Sequence, residues 1–237
     1  MTLTRIGSAG WSISREAAPF FTGTGSHLQR YATVLNAAEI NSSFYRPHQQ
    51  QTYARWADSV PDDFRFSVKL PRTITHDQRL LDAEAPLDQF AAETAGLGAK
   101  LGCVLVQLPP SLRFDPAAAG RALRQLRERF SCMLACEARH GSWFGEEASA
   151  LLHQHHVTRV IADPPAGQPG PYVATSDDAY IRLHGSPRMY FSSYDEAYLR
   201  DVADWLQGRD GWCIFDNTAS GAAILNALQL QKIQRSR

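Results

Sequence analysis

The chain has 237 residues, with 24 Lys plus Arg against 24 Asp plus Glu, 44% hydrophobic and 20% charged side chains. A formal charge of zero argues against a protein that grips nucleic acid or an anionic membrane through a general excess of basic residues. The length suits one α/β domain over residues 1–237, and such a chain buries enough surface to need no disulfide or metal staple.

No apolar run approaches the ~20 residues of a membrane helix. The stretch Met1–Trp11 lacks a basic segment followed by an apolar one, so no secretory leader is expected. Cys103, Cys132, Cys136 and Cys213 make no CxxC pair. They read as reduced, buried thiols, which places the protein in the cytoplasm.

Short apolar runs recur in chain order at Arg5–Ser8, Ala37–Ile40, Phe64–Leu70, Cys103–Leu108, Met133–Glu137, Arg159–Ala162, Tyr180–Leu183 and Trp212–Phe215. Their spacing is that of a strand-plus-helix unit, and several are apolar throughout, as parallel strands covered on both faces are. Helix signals fall between them. Pro86 opens a segment with Leu87, Phe90, Ala91, Thr94 and Leu97 on one face. Asp115-Pro116 offers an N-cap and a first-turn proline. Ser193 and Glu196 have capping-box spacing ahead of Tyr198, Val202, Trp205 and Leu206. A last helix covers Ala222–Leu230. Residues 164–171 hold four prolines and two glycines, so the sixth crossover is expected to be irregular. The pattern predicts a single (β/α)8 TIM barrel. The alternative, a doubly wound open sheet, lacks support because Gly7-Ser8-Ala9-Gly10-Trp11 matches no phosphate-loop fingerprint.

In such a barrel the reactive groups gather at the C-terminal strand ends. Those ends offer Trp11; Glu39, Asn41 and Tyr45; Lys69, Arg72 and His76; Gln107; Glu137 and Arg139; Asp163; Arg182 and His184; and Asp216 with Asn217. Strand alternation places Tyr180, Arg182 and His184 opposite Ile181 and Leu183. It likewise sets Ala135, Glu137 and Arg139 against Leu134 and Cys136, and Ser67 and Lys69 against Phe66 and Val68. The polar members should therefore point into the barrel, where branched aliphatics would serve stability alone.

Lys69, Glu137 and His184 are the acid–base candidates. Trp11, Glu39, Asn41, Tyr45, Arg72, His76, Gln107, Arg139, Asp163, Arg182 and Asn217 are the binding candidates, with the arginines suited to carboxylate or phosphate oxygens. Only three lysines accompany 21 arginines, so a lysine kept at a strand end suggests a need for its titratable amine. The cations interleaved among Glu39, Glu137, Asp163 and His184 argue against a divalent metal, and no HExxH spacing occurs. Trp11, Tyr45 and Trp143 are candidates to stack on a ring, or simply to pack over the mouth. An opposing account pairs Lys69, Arg139 and Arg182 with Glu39, Glu137 and Asp163 in a purely structural ionic layer.

The ordered set Gly10-Trp11-Ser12, Glu39-Ile40-Asn41-Ser42-Ser43-Phe44-Tyr45, Phe64–Lys69, Thr75-His76, Val106–Ser111, Glu137–His140 with Ser142-Trp143-Phe144, Arg182–Gly185, Asn217 and Asn226-Ala227-Leu228 resembles the YecE-like family, domain of unknown function seventy-two. The resemblance spans essentially the whole chain. It departs between Ser14 and Gly25, which lacks the family's aromatic-rich Tyr-Pro turn, and at Asp216, where Asn is common. The resemblance implies a TIM barrel with a shared strand-end cluster and brings no established activity or cofactor. The cluster itself points to a small polar or anionic ligand. A nucleic-acid-processing barrel and a non-catalytic binding protein are the alternatives. If the cluster serves a site, removing Glu137 should change stability little; if it is only structural, the same change should destabilise.

Overall fold

The computed structural model describes residues 4–236, so the first three residues of the Met1–Trp11 stretch lie outside it. Strands β1 (Thr4–Ala9), β2 (Ala37–Ile40), β3 (Arg65–Lys69), β4 (Leu101–Gln107), β5 (Met133–Glu137), β6 (Val157–Arg159), β7 (Ile161–Asp163), β8 (Ala179–Leu183) and β9 (Gly211–Phe215) form one parallel sheet. Its order is β6-β5-β4-β3-β2-β1-β9-β8-β7. The two edge strands, β6 and β7, are halves of one run separated only by Val160. The first half pairs with β5 and the second with β8. The sheet thus curls into a barrel with eight strand positions, the sixth interrupted.

Helices α1 (His27–Ala32), α2 (Gln50–Asp58), α3 (Glu84–Thr94), α4 (Pro116–Arg129), α5 (Glu146–Gln154), α6 (Glu196–Leu206) and α7 (Ala222–Arg235) fill every crossover but the sixth. There the chain runs from Asp163 to Ala179 without a helix, as its prolines require. Arg159 fastens this loop from beneath: its guanidinium donates to Val173 O (3.0 Å), Trp143 O (2.9 Å) and Ser149 Oγ (2.9 Å). Gly167, at φ 70°, passes so close to β5's outgoing loop that a Cβ there would lie 2.3 Å from Arg139 O. Only glycine permits that approach.

Two apolar clusters divide the core as strand alternation predicts. Phe66, Val68, Leu134, Cys136, Ile181 and Leu183 face the helices. Ala37, Cys103, Leu105, Ala135, Tyr180, Trp212 and Ile214 fill the barrel interior. Asp115 caps α4 by accepting from Ala118 N at 2.8 Å. The expected capping box at Ser193 and Glu196 does not form. Asp195 caps α6 instead, accepting from Tyr198 N at 2.9 Å, and Ser193 turns to Asn226. A carboxylate one residue before the helix competes successfully for that cap. Three cysteines are buried as expected, whereas Cys132 is half-buried because it precedes β5.

Candidate functional site

Above the apolar layer, the inward positions of β2, β3, β5 and β8 change from aliphatic to ionisable. Their centre is Arg182, whose side chain is 1% exposed. Its Nε and Nη2 grip Glu39 at 2.9 and 2.6 Å, in the fork geometry that suits carboxylates. Its Nη1 donates to Glu137 at 2.7 Å, and Nη2 also reaches Asp216 at 3.1 Å. Two residues before Arg182 on the same strand, Tyr180 reaches Glu39 (3.0 Å) and Ser67 (2.7 Å) with its hydroxyl, closing the floor.

Two further groups gather on this floor. Arg139 donates through Nε and Nη2 to one Glu137 oxygen, at 2.9 and 2.7 Å. His184 bridges the carboxylates, with Nε2 3.2 Å from Glu137 and Nδ1 3.0 Å from Asp216. Burial alone would raise the Glu137 carboxyl, but Arg182, His184 and Arg139 together hold it well below the usual range. Asp216 is lowered in the same way: Arg182 and His184 overcome its burial. For His184, burial pulls downward but the hydrogen bonds to Asp216 and Glu137 win, so its pKa is raised.

These directions predict a readable titration. In NMR, His184 should protonate above 6.5, while His76, His48 and His155, all lowered chiefly by burial, should protonate below it. Asp216→Asn should move the His184 midpoint downward and leave His48 where it was. An unchanged His184 midpoint in that variant would contradict the bridge.

Lys69 is different. It is 5% exposed, at the end of β3, yet among the described residues its Nζ has no carboxylate within ion-pair distance. Its one close partner is the face of Phe44, 4.1 Å from the ring centroid. Burial and then the charge of Arg182 lower its pKa to about 8, against the weaker pull of Glu39, Glu137 and Asp216. The Ser42-Ser43-Phe44 turn explains how Phe44 is held there. Ser43 Oγ lies 2.6 Å from Lys69 O and 2.9 Å from Ile40 O, tying the loop after β2 to the end of β3.

The structure therefore brings together Glu39, Lys69, Glu137, Arg139, Arg182 and His184. Gln107, the β4 register partner of Glu137, stands beside them, buried, its amide without a partner among the described residues. His76 approaches from the loop after β3, its ring edge-on to Phe44 at 4.9 Å. Asn41 ends β2 with its Oδ1 buried and unpartnered.

Other candidates are placed elsewhere. The Trp11 ring packs on Trp56 (5.2 Å) and Phe66 (6.1 Å), on the helix side of the sheet. Trp143 is buried and donates its indole N–H to Leu112 O at 3.0 Å. Asp163 does not join the ionic layer; it accepts from the Tyr194 hydroxyl at 2.8 Å. Asn217 donates to Ser192 O and to Asn226 Oδ1, both at 2.9 Å. Asp163 and Asn217 thereby anchor the loop between β8 and α6. That loop leaves His184 through Gly185 (φ 93°) and lays Tyr190 edge-on to the His184 ring at 5.9 Å. Arg72 and Tyr45 are exposed beside the mouth, and Arg72 pairs with Asp77 at 3.1 Å.

Arg182 also departs from expectation. It was a candidate to orient ligand oxygens, but it lies beneath the carboxylates with its donors already spent on them. Asp216, offered by the end of β9 but not among the acid–base or binding candidates, closes the cluster by bridging Arg182 and His184. Its position beside Asn217 at a strand end was the available signal.

The chain matches the family model described as "Protein of unknown function DUF72" over residues 5–237. It is 33% identical over 208 residues to the UPF0759 protein YecE of Escherichia coli, covering 76% of this chain and 75% of that protein. The crystal structure of a DUF72 family protein from Thermotoga maritima superposes with a TM-score of 0.81 at 27% identity, covering 98% and 99% of the two chains. A second, from Enterococcus faecalis, gives 0.82 at 22% identity over 98% and 96%, a likeness of fold.

Proposed function

The chain belongs to the DUF72 family, and from its barrel mouth we propose that it is an enzyme acting on a small anionic metabolite, with Lys69 as the proton-carrying amine. The observation behind this reading is one buried cation without an ion-pair partner among the described residues, in a cluster whose two arginines are both paired. Arg182 is saturated by Glu39, Glu137 and Asp216, and Arg139 is paired with Glu137. Lys69 bears its burial with no direct ion pair, only the weaker pull of Glu39, Glu137 and Asp216. A carboxylate or phosphate arriving at the mouth supplies the missing counter-charge.

The same amine is suited to general acid–base work. A pKa of about 8 leaves both protonation forms accessible near neutral pH, where proton transfer is most efficient. Arg139, which pairs with Glu137 through Nε and Nη2 and also interacts with the Tyr190 hydroxyl, orients the anion through Nη1. Glu39, Glu137 and Arg182 position these two and set their charge, rather than touching the ligand. Four donors converge on Glu137, so its removal would strand buried cations and should destabilise, the outcome expected of a structural ionic layer; the functional reading therefore rests on ligand binding at Lys69.

A thermal-shift screen of sugar phosphates and hydroxy acids is the direct test. We expect stabilisation of the wild type by members of one of these classes, and its loss in Lys69→Met. No stabilisation by any anion, or the same shift in Lys69→Met, would overturn the reading. No helix among the described residues is long and apolar enough to cross a membrane.

A further inference from the structure

Three aromatic side chains were candidates to stack on a ring, and the structure separates them. Trp11 and Trp143 are consumed by packing, whereas Tyr45 is 70% exposed. Its ring is steadied edge-on against Phe44, at 5.0 Å and 86°. Tyr45 is also one wall of a cavity of about 180 Å³ between the loops after β2 and β3 and helix α3. Phe44, Tyr45, Pro47, Pro71, Pro86 and Phe90 supply its apolar and aromatic surface. An apolar cavity of ~150 Å³ is enough to take a benzene molecule.

One side chain joins this cavity to the polar mouth. Phe44 is common to both: Lys69 Nζ lies over its ring at 4.1 Å, and the same side chain lines the cavity. The lining also carries charge: Arg46 and Arg72 are exposed there, Arg72 already paired with Asp77, and Glu93 stands with them. Phe44 is therefore the side chain that Lys69 and the cavity share, and a ligand serving both would pass along its edge.

We propose that this cavity is the subsite for a six-membered aromatic or heteroaromatic ring, so that the ligand of the mouth is an aryl-bearing anion, with Tyr45 as the residue that selects it. The inference rests on the proposed function, from which it takes the anion at Lys69. Tyr45 covers the exposed face of the ring, Phe44 and Phe90 line the slot, and the linkage to the anion passes the edge of Phe44. Stacking on Tyr45 explains why a large aromatic side chain is left in water beside a polar site.

The test uses isothermal titration of the intact protein with methyl phosphate and phenyl phosphate, which share an anion and differ in the ring. Phenyl phosphate should bind at least about tenfold more tightly, the scale expected for burying a ring in a preformed apolar slot. Tyr45→Ala should remove that advantage and leave methyl phosphate unchanged, while Tyr45→Phe should keep it. Equal affinity for the two esters, or an advantage that survives Tyr45→Ala, overturns the ring subsite. If neither ester binds, the anion site fails, and benzyl alcohol then decides the cavity separately. Shifts of the Tyr45 and Phe44 ring resonances on adding it support the cavity as a ring site; their absence overturns it.

Discussion

Replacing Arg182 by Met should destabilise the protein by at least about 3–5 kcal/mol, the cost of stripping a buried ion pair of one partner. The reason lies in what is left behind. Glu39, Glu137 and Asp216 all direct oxygens at that guanidinium, and none is more than 7% exposed. Methionine fills much of the volume but donates no hydrogen bond. Three carboxylates then face one another with only Arg139, His184 and Lys69 near them.

The pH dependence gives the prediction a sign. In the wild type, Glu137 and Asp216 have pKa values below their unfolded ones. Their contribution to stability is therefore fully present above about pH 4.5 and is lost as pH falls through the lower folded values. In Arg182→Met, burial is no longer outweighed by the guanidinium, so Glu137 and Asp216 bind protons more readily when folded than when unfolded. The variant then gains relative stability as pH falls toward 4, and the gap between the two proteins narrows. Urea unfolding at several pH values measures this. A drop below about 1 kcal/mol, or a gap independent of pH, would show that Arg182 does not neutralise these carboxylates.

Strand alternation makes much of this cluster legible in the sequence. Arg182 sits between Ile181 and Leu183, and Glu137 follows Cys136, so a period of two was enough to aim both inward. The unhelical sixth crossover was legible for a similar reason, since proline removes the donors a helix needs. Pairing was not legible. Glu39 lies 143 residues from Arg182, and which carboxylate meets which guanidinium is decided by barrel register. Asp163 shows the limit. It ends a strand like the others, but the Tyr194 hydroxyl from the following loop takes its carboxylate. Trp11, a strand-end candidate for stacking or for packing, lies just beyond a strand, where alternation no longer fixes direction. Its ring turned outward to Trp56 and Phe66. Lys69 stands out as a lysine among arginines, but its lack of an ion-pair partner depends on how barrel register pairs the neighbouring charges, which no local pattern encodes.

That isolation leads to the second large effect. Lys69→Met should abolish anion binding at the mouth, with a loss of about 2–5 kcal/mol, as for truncating one side of a buried charge pair. In the unliganded protein the same substitution should stabilise the fold at pH 7. The charged amine is disfavoured there, as its lowered pKa of about 8 records, and the relief amounts to no more than about 3 kcal/mol. Wild-type anion affinity should hold steady below pH 8 and fall above it as the amine loses its proton, approaching tenfold per pH unit. The linkage to folding runs in the matching direction. Between about 8 and the unfolded value near 10.4, the unfolded chain holds the Lys69 proton more often than the folded one. The Lys69 contribution to stability therefore rises with pH over that window, and Lys69→Met should lack it. Lys69→Arg separates charge from titration: it should retain anion binding at pH 9 but lose any proton-transfer activity, because a guanidinium stays protonated there. Calorimetric titration at pH 7 and pH 9 across the three proteins distinguishes these outcomes. Wild-type affinity that does not change between those pH values would mean that the amine at Lys69 is not what holds the anion.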